Sequence, residues 1–184
     1  MNRISKFFIK GIRKINNTFK SWYYKNSFLD SVKKHGENIV VSGKVYVWND
    51  KVTVGDCSHF YPYVFLWGNG PIKIGEHCEI GINTIIHSTQ LVDIGNNVSI
   101  AANCYIIDSN HGCEKNLLIN EQKTVVKGPI VIDDDVWIGA GAKILSGVHI
   151  GRGAVIGAQS VVNTDIPDYA IAVGIPAKVI SYRR

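Results

Sequence analysis

From residue 132 onward an aliphatic side chain recurs at every sixth position, as Ile132, Ile138, Ile144, Ile150, Ile156 and Val162. Four places after each stands a small or aliphatic residue: Val136, Ala142, Val148, Ala154, Ser160 and Ile166. Glycine follows the aliphatic at Gly139, Gly151 and Gly157. The same phase runs upstream through Ile74, Ile80 and Ile86, then Ile94, Ile100 and Ile106, with Cys78, Thr84, Val98 and Cys104 at the small position. Hairpin strands of a sandwich do not hold a strict six over such a length, whereas the stacked coils of a parallel β-helix do.

Each hexad makes a short strand and a corner, spanning ~20 Å at ~3.3 Å per residue, so three hexads close a triangular coil. Residues i and i+4 share parity and both point inward. Every strand then offers its hydrogen-bonding edge to the next coil ~4.8 Å away, and Cys78 and Cys104 are expected to be buried. Glycine and small polar residues such as Asn96 and Asn97 suit corners, where φ can be positive.

The interruptions carry as much information as the repeat. Ile86 to Ile94 is a step of eight, and Ile106 to Ile132 one of twenty-six. The extra residues must leave the coil as loops, the longer from about Asp108 to Lys127. It opens on IIDSNHGCEKN, residues 106 to 116, and a polar loop on a regular scaffold is a common way to hold a site. His111 lies where that loop departs. Asp108 and Asn110 are candidates to orient it, with an Asx-type turn as the alternative. By alternation Trp137 faces outward, as a side chain of an interface or a ligand groove does. His87 also faces outward, toward an acceptor or a subunit contact.

The chain has 184 residues with 46% hydrophobic content, enough for one domain with a sizeable core. Its net charge of +5 is uneven: residues 1–34 hold nine Lys or Arg against Asp30 alone, and residues 35–184 hold eleven against fourteen acids. Arg3, Lys6, Lys10, Arg13, Lys14 and Lys20 alternate with an apolar stripe from Ile4 to Trp22, which predicts a basic amphipathic helix. Residues 1–34 are therefore read as a basic amphipathic helical segment and residues 35–184 as the β-helix domain. Residues 1–25 are expected either to contact a membrane surface or to cap the main domain or a sister subunit. No nucleic-acid module accompanies the charge. Four cysteines without metal-type spacing, and no apolar run of a signal peptide or of the ~20 residues a span requires, point to a cytoplasmic protein, with the inner membrane face as the alternative location.

The stretches VDIGNNVSIAANCYIIDSNHG, GPIVIDDDVWIGAGAKILSGVHIGRGAVIGAQSVV and DIPDYAIAVGIPAKVI resemble the left-handed β-helix, hexapeptide-repeat acyltransferases. Within them they resemble the O-acetyltransferases that modify sugars and bacterial surface polysaccharides. The resemblance runs from about Val40 to the C-terminus. It implies left-handed coils, so the expected fold is all-β, a left-handed parallel β-helix with the short N-terminal amphipathic α-helix and the one long extruded loop read from the sequence above. It also implies a homotrimer with acetyl-CoA between neighbouring subunits, and no metal. His111 matches the family's catalytic histidine, and Trp137 a tryptophan near the acetyl end of the groove. Ala140 matches the backbone N–H donor to the thioester, and Ala158 lies further along. Asn163, Thr164 and Lys178 match positions toward the adenosine and phosphate end. Thr164 replaces a lysine common in the simple sugar acetyltransferases, which shifts phosphate pairing to Lys178 and to Arg183 or Arg184. Gly81, Ser88 and Thr89 depart from that subgroup's acceptor residues, so a galactoside or maltose acceptor does not follow.

A histidine poised near neutrality suits abstraction of a hydroxyl proton, typically for ~10²–10⁴ in rate, and a backbone N–H such as Ala140's suits the oxyanion. Cys113 is expected to be an idle loop thiol. The runners-up are antibiotic and serine acetyltransferases of the same fold. Further off stand a zinc carbonic-anhydrase-like enzyme, for which a third histidine ligand after His111 is missing, and a non-catalytic assembly platform.

Overall fold

The computed structural model describes residues 18–184. It is a parallel β-helix of three faces. The first face stacks six strands from Lys34–His35 to His149–Ile150, the second eight from Val40–Val41 to the terminal hairpin, and the third six from Tyr46–Trp48 to Val161–Val162. The register reproduces the period of six. Ile74, Ile94, Ile132 and Ile150 align on the first face, and Ile80, Ile100, Ile138 and Ile156 on the second. Ile86, Ile106, Ile144 and Val162 align on the third. All are buried, as are the small-position residues from Cys78 to Ile166. The two cysteines among them are free thiols whose pKa burial raises.

The corner between the first and second faces is held by a side-chain ladder. Asp56 Oδ1 accepts the Glu37 N–H at 2.7 Å, Asn96 Oδ1 that of Glu76 at 2.9 Å, and Asp134 Oδ1 that of Asn96 at 2.7 Å. The neighbouring Asn38, Cys57, His77, Asn97 and Asp135 take φ between 55° and 60°. Asn97 thus occupies the left-handed corner while Asn96 supplies a rung to the Glu76 N–H of the preceding coil.

A solenoid needs covers at both ends. At the start, a helix over residues 18–31 sets Phe28, 1% exposed, against Phe60 at 4.6 Å between ring centroids, a burial on the order of 2 kcal/mol. Val32 is buried beside it, and Tyr24 and Leu29 are partly buried. Phe19, Trp22 and Tyr23 remain exposed. The apolar stripe from Ile4 to Ile15 lies outside the described residues. At the other end, Ala170–Gly174 joins the second face and pairs antiparallel with Ala177–Tyr182. No helix among the described residues is long and apolar enough to cross a membrane.

Candidate active site

The long loop leaves at the end of the third face, after Tyr105–Ile107. Asn110–His111 pairs antiparallel with Thr124–Val125, His111 opposite Thr124, so His111 sits on a two-stranded ribbon outside the solenoid. Ser146 closes the root. Its hydroxyl donates to the Asp108 carbonyl at 2.5 Å and accepts the Lys127 N–H at 2.9 Å, tying both feet of the loop to one atom. Further out, Gln122 accepts from the Glu114 N–H at 2.7 Å and donates to the carbonyls of Glu114 and Leu117, both at 3.1 Å. The tip beyond carries exposed Leu117, Leu118 and Ile119.

Asp108 does not orient His111. It is fully buried, and its carboxylate accepts the N–H groups of Thr89, Gln90 and Leu91 at 2.7, 2.7 and 2.9 Å. Ser88 Oγ lies at 3.3 Å. Those donors belong to the corner that absorbs the step of eight between Ile86 and Ile94, so the carboxylate binds the preceding coil to the loop root. The Asn110 side chain makes no hydrogen bond among the described residues, so it forms no Asx turn, and its backbone pairs with Val125 in the ribbon. Among the described residues no side chain hydrogen-bonds the His111 ring. Cys113 is exposed, and its sulfur lies 3.6 Å from the His111 carbonyl oxygen.

His87 faces outward on the third face, half-buried. Its ring meets Trp67 edge-on at 4.3 Å, and its Nδ1 lies 3.4 Å from Ser109 Oγ. Burial lowers its pKa, and Asp108 opposes that in part. The imidazole is therefore held toward the neutral form.

The remaining candidates lie elsewhere. Trp137 is exposed on the second face between Ser99 and Val155. Ala140 and Ala158 are exposed one coil apart at the corner between the second and third faces, where the Gln159 N–H bonds to the Ala140 carbonyl at 2.8 Å. Neither alanine N–H meets a protein acceptor among the described residues. Gly139 keeps this corner open, since a Cβ there would come within 2.6 Å of the Ala158 nitrogen. Lys178 is exposed on the terminal hairpin opposite Val173, and Asn163 and Thr164 are exposed after the last third-face strand. Arg183 is engaged instead of free for a phosphate, its guanidinium 2.9 Å from Asp135 and 3.0 Å from the Gly153 carbonyl. One chain thus carries two groups on different faces. His111 stands off the end of the third, while Trp137, Ala140 and Ala158 follow the second face and its far corner. Unpartnered N–H groups at small residues fit the amide-bearing arm of acetyl-CoA. No group of three metal-ligating side chains occurs among the described residues.

Residues 129–164 match the model of the bacterial transferase hexapeptide (six repeats), and residues 71–107 that of the hexapeptide repeat of succinyl-transferase. The dTDP-4-amino-4,6-dideoxy-D-glucose acyltransferase of Escherichia coli is 32% identical over 158 residues, 82% of each chain. This chain belongs to the hexapeptide-repeat acyltransferases. The galactoside O-acetyltransferase of Escherichia coli K12 is 37% identical over 128 residues, covering 70% of this chain and 62% of that one. This hexapeptide-repeat chain spans less than two thirds of the first curated relatives it matches. The N-acyltransferase AntD of Bacillus cereus, solved with dTDP and 3-hydroxybutyryl-CoA, superimposes with a TM-score of 0.77 at 21% identity, over 87% of this chain and 88% of that one. The likeness places the fold alone.

Proposed function

We propose that the protein is an acetyl-CoA-dependent O-acetyltransferase that acts on a hydroxyl of a sugar or surface-polysaccharide precursor. The observation that carries this reading is His111 on a braced ribbon beside a solenoid whose far corner offers the unpaired N–H groups of Ala140 and Ala158. His111 takes the acceptor hydroxyl proton as the oxygen attacks the thioester carbonyl. The Ala140 N–H donates to the developing oxyanion. The C–S bond then breaks, and His111 returns the proton to the departing CoA sulfur. Trp137 flanks the acetyl end, Ala158 the arm, and Asn163, Thr164 and Lys178 the adenosine and phosphate end. No acyl-enzyme and no metal is needed.

Because the two groups occupy different faces, the complete site joins His111 of one copy to the groove of another, in a homotrimer. The exposed apolar tip at Leu117, Leu118 and Ile119 is suited to rest on that neighbour. Glycans from a deletion strain are expected to lose one acetyl per repeat unit by mass spectrometry, as a hydroxylamine-labile ester. A hydroxylamine-resistant acetyl would instead favour an amine acceptor, the second reading, supported by the amino-sugar name of the relative spanning 82% of each chain. No acetyl lost, or a fully active monomer by light scattering, would overturn the corresponding part.

The N-terminal segment is assigned to the inner membrane face. Phe19, Trp22 and Tyr23 are exposed and belong to the sequence of residues 1–25 that carries the basic run, where anionic lipid contributes ~1 kcal/mol per Lys or Arg. The full chain should co-sediment with anionic and not neutral liposomes, and deletion of residues 1–23 should abolish this while sparing Phe28. Equal, negligible binding by both proteins leaves the helix as an end cap only.

A further inference from the structure

Below the loop, the third face carries two columns of outward side chains that the reaction described above does not use. Tyr46, Phe65, Ile85 and Tyr105 stand in register in one, and Trp48, Trp67, His87 and Ile107 in the other. Trp48 is 66% and Trp67 40% exposed. Between the columns lies an open trough of about 350 Å³ lined by Trp48, Phe65, Trp67, Ile85 and Tyr105. The rings are mutually braced: Tyr46 stacks on Phe65 at 4.4 Å and 6°, with Trp48 edge-on to Phe65 at 5.9 Å.

We propose that this trough is a carbohydrate-stacking subsite, in which the acceptor's pyranose ring lies on Trp67 and Trp48 with its reactive hydroxyl toward His111. The proposal rests on the acyl-transfer reading above and names what binds on its acceptor side. A pyranose presents C–H groups on its face and hydroxyls at its rim. The C–H groups complement the negative face of an aromatic ring, and the rim requires polar partners at the edge.

The trough has both. Its floor is apolar and uncharged, four aromatic rings and Ile85, and at its upper edge the His87 ring lies edge-on to Trp67 with centroids 4.3 Å apart. His87 is in turn 3.4 Å from Ser109, two residues before His111. At the lower edge Lys44 lies over the Tyr46 ring at 4.4 Å. The volume is at the small end of ligand sites, roughly 300–1,000 Å³, as suits one or two sugar rings. Continuity with the loop root argues for the acceptor over an unrelated partner, since an occupant of the trough ends beside the segment that positions His111.

The test uses the full chain without acetyl-CoA and saturation-transfer NMR with the methyl pyranosides of glucose, galactose, mannose and N-acetylglucosamine. At least one should receive saturation from the protein's aromatic protons. Trp67→Ala and Trp48→Ala should each raise its Kd by about tenfold, and Trp67→Phe should restore most of the loss. Both rings being exposed, the variants should melt with the wild type. The proposal is overturned if none of the four sugars receives saturation, or if Trp67→Ala binds as the wild type does. It is equally overturned if the tryptophans resist acrylamide quenching in the wild type and the variants become monomeric, which would assign the trough to a second copy. Release of CoA thiol is measured separately. Acetyl transfer without sugar binding defeats the trough alone, and sugar binding without acetyl-CoA binding defeats the acyl-transfer reading.

Discussion

His111→Ala is expected to lower kcat by roughly 10²-fold or more while leaving the affinity for acetyl-CoA nearly unchanged. The side chain is exposed and the residue's ribbon partner, Thr124, is held through backbone groups, so the substitution removes the proposed base without removing a brace. The variant should therefore keep the wild-type melting temperature. A fall in both quantities would mean that the histidine serves the loop. Survival of most of the activity would place the base elsewhere, with half-buried His87 the next histidine along the face.

The β-helix was legible because its core repeats at a spacing of six that is interrupted from Ile74 to Val162 only by the steps of eight and twenty-six. Ile132 through Val162 announce the coils, and the register between faces follows from counting. The earliest coils were harder to read. Val54, Phe60 and Leu66 keep the same spacing of six and are buried, yet an aromatic and a leucine hide them from a search for Ile and Val. The end cap was half legible. The spacing of Tyr24, Phe28 and Val32 allows a helix face, but only the fold places Phe28 on Phe60, thirty-two residues away.

At the site, sequence pattern locates what is local and misses what is stacked. Trp137 and His87 lie outward as their parity requires, and the loop leaves where the phase breaks. The partners of Asp108, by contrast, are seventeen to nineteen residues earlier. That distance becomes a contact only after one turn of the coil, and its length depends on an insertion of two residues between Ile86 and Ile94. The aromatic trough escapes for the same reason, since Trp48 and Trp67 become neighbours only once the coil length is known.

Asp108→Ala is expected to cost about 3 kcal/mol, lowering Tm by roughly 6–12 °C, and to reduce activity as well. The carboxylate is fully buried and accepts three backbone N–H groups through two oxygens, Thr89 on Oδ1 and Gln90 and Leu91 on Oδ2. Alanine leaves those donors without a protein partner. Asparagine should be no milder: its oxygen can replace only one of the carboxylate's two, so its amide N–H₂ must face either Thr89 or the pair formed by Gln90 and Leu91. A donor facing a donor is worse than a vacancy. Because the same residue's carbonyl takes the Ser146 hydroxyl at the loop root, a loosened corner also shifts His111, and displacement of about 1 Å can cost 10²-fold in rate. The two aspartate variants should thus lose stability and kcat together, whereas His111→Ala loses kcat alone. Thermal melts and steady-state rates on all three proteins decide it, and an Asp108→Asn protein as stable as the wild type would mean that water, not the carboxylate, satisfies that corner.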